Sequence, residues 1–173
     1  MNVMSASQAV EADIHRQPGH LIRRAQQVHT WLWTTDVSKE VTSTQFAVIS
    51  TVAATPYIDQ NSLSRQVSLD TSTVGDVVNR LIERGYVVRS RDRVDRRRNL
   101  LSLTDDGQQL HAAISVAAAR MTERLVASLG EDDREDLVRI LGRLVEAGEA
   151  LRDGAGADRP PTGAQGPVRA RGA

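Results

Sequence analysis

The chain has 173 residues, with 22 basic and 22 acidic side chains, 40% hydrophobic residues and no cysteine. That length suits one compact domain with its own core. The lack of cysteine excludes disulfides, thiolate metal sites and thiol redox sensing, and no apolar run approaches the roughly 18 residues that would mark a membrane span. The first residues, MNVMSASQAVEAD, carry no basic start followed by an apolar stretch, so no secretory leader is expected and the protein reads as cytoplasmic. The net charge of zero hides an uneven distribution. Eight arginines and three acids lie between Arg80 and Arg98, whereas acids gather at 131–136. A basic segment in a neutral chain is a directed electrostatic footprint.

In chain order, residues 1–17 are polar and read as a flexible N-terminus. Pro18-Gly19 opens a helix running to about Val37, with Ile22, Gln26, His29 and Trp33 on one face. Thr42 and Gln45 are spaced as a capping box for a helix that Thr55-Pro56 ends. A short helix at about 60–67 turns inward Leu63 and Val67, and a turn at 68–70 leads to TSTVGDVVNRLIER. Asp70 or Thr71 can cap this helix, Val74, Val77, Val78, Leu81 and Ile82 form its apolar stripe, and Gly85 stops it.

The pattern then changes to YVVRSR and NLLSLT, two strands around a polar, arginine-rich loop, a β-hairpin with a basic tip. Thr104 caps a long helix with Leu110, Ile114, Ala117, Met121 and Leu125 on one side. Gly130 breaks it, and a final helix with an acidic first turn repeats Leu137, Leu141, Leu144 and Leu151. Residues 153–173 are rich in Gly, Pro and Ala and read as a disordered tail.

Two short helices, a tight turn and a basic-tipped hairpin make a winged helix-turn-helix, so the expected fold is mainly α with a small β-hairpin wing. Its second helix would enter the major groove of double-stranded DNA by its N-terminus. Thr71, Ser72 and Thr73 stand there, with Asp76 and Arg80 one and two turns on and Ser62 on the preceding helix. A wing guanidinium can enter a narrow minor groove, the role expected of Arg97 with Asp95 aiming it; Arg93 is expected at a phosphate, and Arg96 and Arg98 are further candidate DNA contacts. The stripes on the first and last two helices exceed what a small winged-helix core can cover. Mutual burial in a homodimer follows, and with it a pseudo-palindromic operator.

The stretch from Thr44 to Gly107 resembles the MarR family of winged-helix regulators. The resemblance rests on Leu69-Asp70-x-Ser72-Thr73-Val74, on Arg80-Leu81-x-x-Arg84-Gly85, on Asp95-x-Arg97 and on Leu103-Thr104-x-x-Gly107. It implies dimerisation through the first and last two helices, and a minor-groove role for Arg97. Arg93 stands where the family often has proline. The resulting division is an N-terminal dimerisation and ligand segment at 18–42, a DNA-binding lobe at 43–104 and C-terminal dimerisation helices at 105–152. PGHLIRRAQQVHTWLW is similar to the first helix of a subgroup responding to aromatic carboxylates, protocatechuate among them. That similarity implies Arg23 and His29 as ligand anchors. Arg23 can pair a carboxylate through two hydrogen bonds and His29 can bond a ring hydroxyl, with Trp33 (and Trp31) as a flat wall. His20 and Gln26 are secondary candidates.

No glycine-rich phosphate loop, clustered metal ligands or catalytic triad spacing is present in the sequence, so neither enzyme activity, cofactor nor metal is expected. The competing expectation is a ligand-independent architectural DNA protein, which would show little preference for one duplex over another.

Overall fold

The computed structural model describes residues 14–92 and 98–157, with side chains through Arg152. The residues fall into two compact units that divide after Ser128.

In the first unit a 3-10 turn, Ile14–Arg16, precedes α1, Pro18–Leu32, which begins on proline as the sequence predicts. The helix then widens into a π-turn, Trp33–Val37. This turn delivers Trp33 to the interior, where its Nε1 donates to the Val41 carbonyl at 2.7 Å. Helix α2, Ser43–Ala54, starts on the expected capping box, with both the Thr42 and Gln45 hydrogen bonds made. A two-residue strand, β1, Ile58–Asp59, follows, and Asp59 caps α3, Gln60–Gln66.

The turn between α3 and the next helix places Ser68 in the left-handed region, φ 55°. Helix α4, Thr71–Glu83, is capped by Asp70, and its buried stripe is Val74, Val77, Val78 and Leu81. Gly85 ends the passage at φ 77°, a conformation glycine adopts without strain.

Strands β2, Val87–Arg91, and β3, Asn99–Leu103, form the expected hairpin, in register from Val87 opposite Leu103 to Arg91 opposite Asn99. The wing is not a hairpin alone. Strand β1 joins the far side of β3, with Ile58 opposite Leu101, giving an antiparallel sheet in the order β1-β3-β2. Helix α5, Asp105–Leu125, is capped by Thr104, whose hydroxyl also donates to the Gly85 carbonyl at 2.6 Å.

Val48, Ile49 and Val52 of α2, Leu63 of α3, Val74, Val78 and Leu81 of α4 and Leu101 of β3 share one core with Ile114 and Met121 of α5. Helix α5, expected as a dimerisation helix, therefore also closes the lobe expected to bind DNA.

In the second unit the described element is α6, Glu131–Ala157, which extends five residues past the boundary expected for the tail. Its acidic first turn is as predicted. Leu137, Val138, Ile140, Leu141, Leu144, Val145 and Leu151 are exposed in the single chain. Residues 1–13 and 158–173, which carry most of the expected flexible ends, lie outside the described residues. No described helix is long and apolar enough to cross a membrane.

Candidate nucleic-acid interface and ligand cavity

Local chemistry fixes the first turn of α4. The Asp70 carboxylate accepts the Thr73 backbone N–H at 2.8 Å, the Ser72 hydroxyl at 2.5 Å and the Thr73 hydroxyl at 2.6 Å. The Ser72 hydroxyl, then the Thr73 hydroxyl and N–H, hold the Asp70 carboxyl far below the ordinary carboxylate range. Asp70, not Thr71, is the cap, and the Ser72 and Thr73 hydroxyls share in it. Their protons point at Asp70, so their oxygens retain only acceptor capacity toward an incoming group. Thr71, Ser72, Asp76 and Arg80 are exposed along the same helix.

The wing flanks α4 and is tied to it. Arg89 of β2 donates to Asn79 Oδ1 at 3.1 Å. Arg98, expected as a DNA contact, is instead turned back onto the lobe, with its guanidinium 2.6 Å from Asp59 Oδ2. Ser62, also expected at DNA, donates to the same Asp59 oxygen at 2.9 Å and accepts from Arg65 at 3.1 Å. The physical reason is shared: Asp59, the cap of α3, is a carboxylate within reach of both donors. Arg93, Asp95, Arg96 and Arg97 lie outside the described residues.

Arg23 is exposed and precedes His29 by six residues, about 9 Å along the helix. His29 is half-buried, and its Nδ1 is enclosed without a hydrogen-bond partner among the described residues. A buried polar atom is costly to leave without a hydrogen bond.

Trp33 is core rather than an open wall, being 5% exposed. It backs His29, ring centroids 6.2 Å apart. Gln26 leans toward Thr30 and lines a shallow hollow with Trp31 and Thr34. His20 meets the His15 ring edge-on at 5.4 Å. Loss of solvent, then the positive charge of Arg23, His15 and Arg24, lowers the His20 imidazole below its ordinary value.

Sequence reasoning missed the continuation of the row. Phe46 of α2 lies 5.4 Å from Trp33, and His111 of α5 stacks on Phe46 at 5.8 Å. His29, Trp33, Phe46 and His111 thus join three helices in one line of rings. His111 also lines a cavity of about 780 Å³ with Ser50, Ala53, Tyr57, Ser102 and Gln108. An apolar wall of Val52, Pro56 and Leu103 shares the lining with polar hydroxyl, amide and imidazole groups, which suits a small planar molecule with polar substituents. The available signal was the spacing of Phe46, Ser50 and Ala53 on one face of α2.

A capped recognition helix beside a three-stranded wing defines a winged helix-turn-helix DNA-binding protein. The MarR family model matches residues 41–98. The PcaV transcriptional regulator of Streptomyces coelicolor, solved in complex with its natural ligand, superposes with a TM-score of 0.76. It is 38% identical, over 86% of this chain and 99% of that one. BpsR of Bordetella bronchiseptica, solved to explain regulation of its DNA binding by 6-hydroxynicotinic acid, is 28% identical with a TM-score of 0.68. That match covers 73% of this chain and 96% of BpsR. The transcriptional repressor NicR of Pseudomonas putida is 29% identical over 79% of this chain and 87% of its own. The chain belongs to the MarR family of transcriptional regulators.

Proposed function

We propose that this regulator is a repressor that binds a pseudo-palindromic operator as a homodimer and releases it when a small aromatic carboxylate binds. The first turn of α4 enters the major groove through Thr71, Ser72 and Thr73, with Asp76 and Arg80 alongside. Arg97 of the wing reaches the minor groove, aimed by Asp95, and Arg93 and Arg96 add DNA contacts beside it. The exposed apolar residues of α6 meet their counterparts in a second copy. The role is non-catalytic and cytoplasmic, where the DNA is.

The observation that carries the effector half is the unpartnered Nδ1 of His29 at one end of the ring row whose other end opens into the His111 cavity. Arg23 supplies the charge partner for the carboxylate. Helix α2 gives a route to DNA. It carries Phe46 in the row and Val48, Ile49 and Val52 in the core beneath α4. A ligand that favours one packing of Phe46 over another therefore biases the lobe. BpsR, which resembles this chain and whose DNA binding is regulated by 6-hydroxynicotinic acid, supports this choice of ligand class.

The test is to recover a preferred duplex by selection from random DNA, then titrate protocatechuate, 6-hydroxynicotinate and benzoate into the complex. At least one acid releases the wild-type protein. Arg23→Ala and His29→Ala keep duplex affinity and lose the response. Release that persists unchanged in both variants refutes the site.

A further inference from the structure

The first turn of α3 touches both elements assigned to DNA. Asp59 closes β1 and opens α3. One of its oxygens accepts the N–H groups of Asn61 and Ser62 at 3.1 and 3.0 Å, and the other accepts the Ser62 hydroxyl and the Arg98 guanidinium. Arg98 stands where the second wing strand begins, and its carbonyl accepts the Asp92 N–H at 3.1 Å across the hairpin. The next residue, Gln60, sends its side-chain amide to the Thr71 carbonyl at 3.5 Å, at the start of α4. Adjacent residues of one helix turn thus hold the wing base on one side and the recognition helix on the other.

We infer that Asp59 is a positioning residue for DNA recognition, fixing the offset between wing and recognition helix through Arg98, whose guanidinium serves the lobe and not a phosphate. The pair is half-open to solvent on the arginine side, side-chain exposure 53% against 18% for Asp59. An ion pair so exposed adds little stability. Its effect is geometric: a wing held at one offset loses less freedom on binding, and that loss subtracts from affinity. Arg89 to Asn79 ties the other wing strand directly to α4. With both ties, each strand of the hairpin is anchored. The inference rests on α4 and the wing being the DNA-reading pair.

The test measures binding of Asp59→Asn, Arg98→Gln, Arg98→Lys and the Asp59→Asn/Arg98→Gln double variant to the selected duplex and to a random duplex, across a salt series. Asparagine caps a helix as well as aspartate, so Asp59→Asn keeps α3 and removes the charge partner. The ratio of selected to random affinity falls about five-fold in Asp59→Asn and in Arg98→Gln, and the double variant is no worse than the worse single. Arg98→Lys recovers part of the loss, and the salt slope stays at its wild-type value throughout. An unchanged ratio in both single variants overturns the inference. So does a salt slope reduced by about one in Arg98→Gln with no fall in the Asp59→Asn ratio, the signature of a phosphate contact. A wild-type chain that selects no duplex overturns the DNA reading itself, and this inference with it.

Discussion

Replacing Gly107 by alanine tests the joint between wing and α5. A Cβ there would lie 2.0 Å from the Tyr86 carbonyl oxygen and 3.0 Å from its carbon. Those are backbone atoms, and Tyr86 O also accepts the Thr104 N–H at 3.1 Å, so the neighbour cannot swing aside. Relieving the overlap must part β2 from the first turn of α5. Overpacking of this kind costs about 1–3 kcal/mol, and alanine's better helix propensity returns up to about 1 kcal/mol. A contact this short belongs at the upper end, which leaves a net loss of about 2 kcal/mol. With an m value of about 2 kcal/mol per molar urea, the unfolding midpoint drops by about 1 M. The assay is urea denaturation of wild type and Gly107→Ala at one protein concentration, since association shifts apparent stability. A midpoint that stays or rises, at equal m, refutes the close approach and the reasoning built on it.

Two further outcomes follow from buried and capping polar groups. Trp33→Phe keeps the ring against His29 and Phe46 but orphans the Val41 carbonyl, and loses about 1–3 kcal/mol in chemical denaturation. A loss below about 0.5 kcal/mol would contradict the hydrogen bond's role. The Ser62 N–H foremost, and the Arg98 guanidinium, hold the Asp59 carboxyl down to about 2, against an ordinary 3.8. A depressed carboxyl stabilises the fold above its unfolded pKa, and that contribution disappears as pH falls through the folded value. The thermal midpoint of wild type therefore exceeds that of Asp59→Asn near pH 6, by up to about 1 kcal/mol of stability after solvent screening, and the two converge between pH 4 and pH 2. A gap that widens on acidification would contradict this sign.

The sequence was most legible where structure is set by neighbours in the chain. The Thr42–Gln45 box, the Asp70 and Thr104 caps and the Gly85 turn all rest on residues within a few positions of each other. What stayed hidden depends on distant segments. Strand β1 is two residues long, too short for alternation to register, and exists because β3 offers it an edge. Arg98 reads as one more cation in a basic run until Asp59 is brought beside it. His111 reads as an isolated histidine until α2 and α5 place it against Phe46. Trp33 was legible as part of an aromatic face, but its burial depends on the π-turn that ends α1.

The most direct measurement of the DNA-binding surface formed by α4 and the wing is the affinity of the wild-type chain for its selected duplex, divided by that for a random duplex at the same salt concentration. The account predicts a ratio of about a thousand or more, falling when Thr71 and Arg80 are replaced by alanine. A ratio near one, or one indifferent to both substitutions, would contradict it.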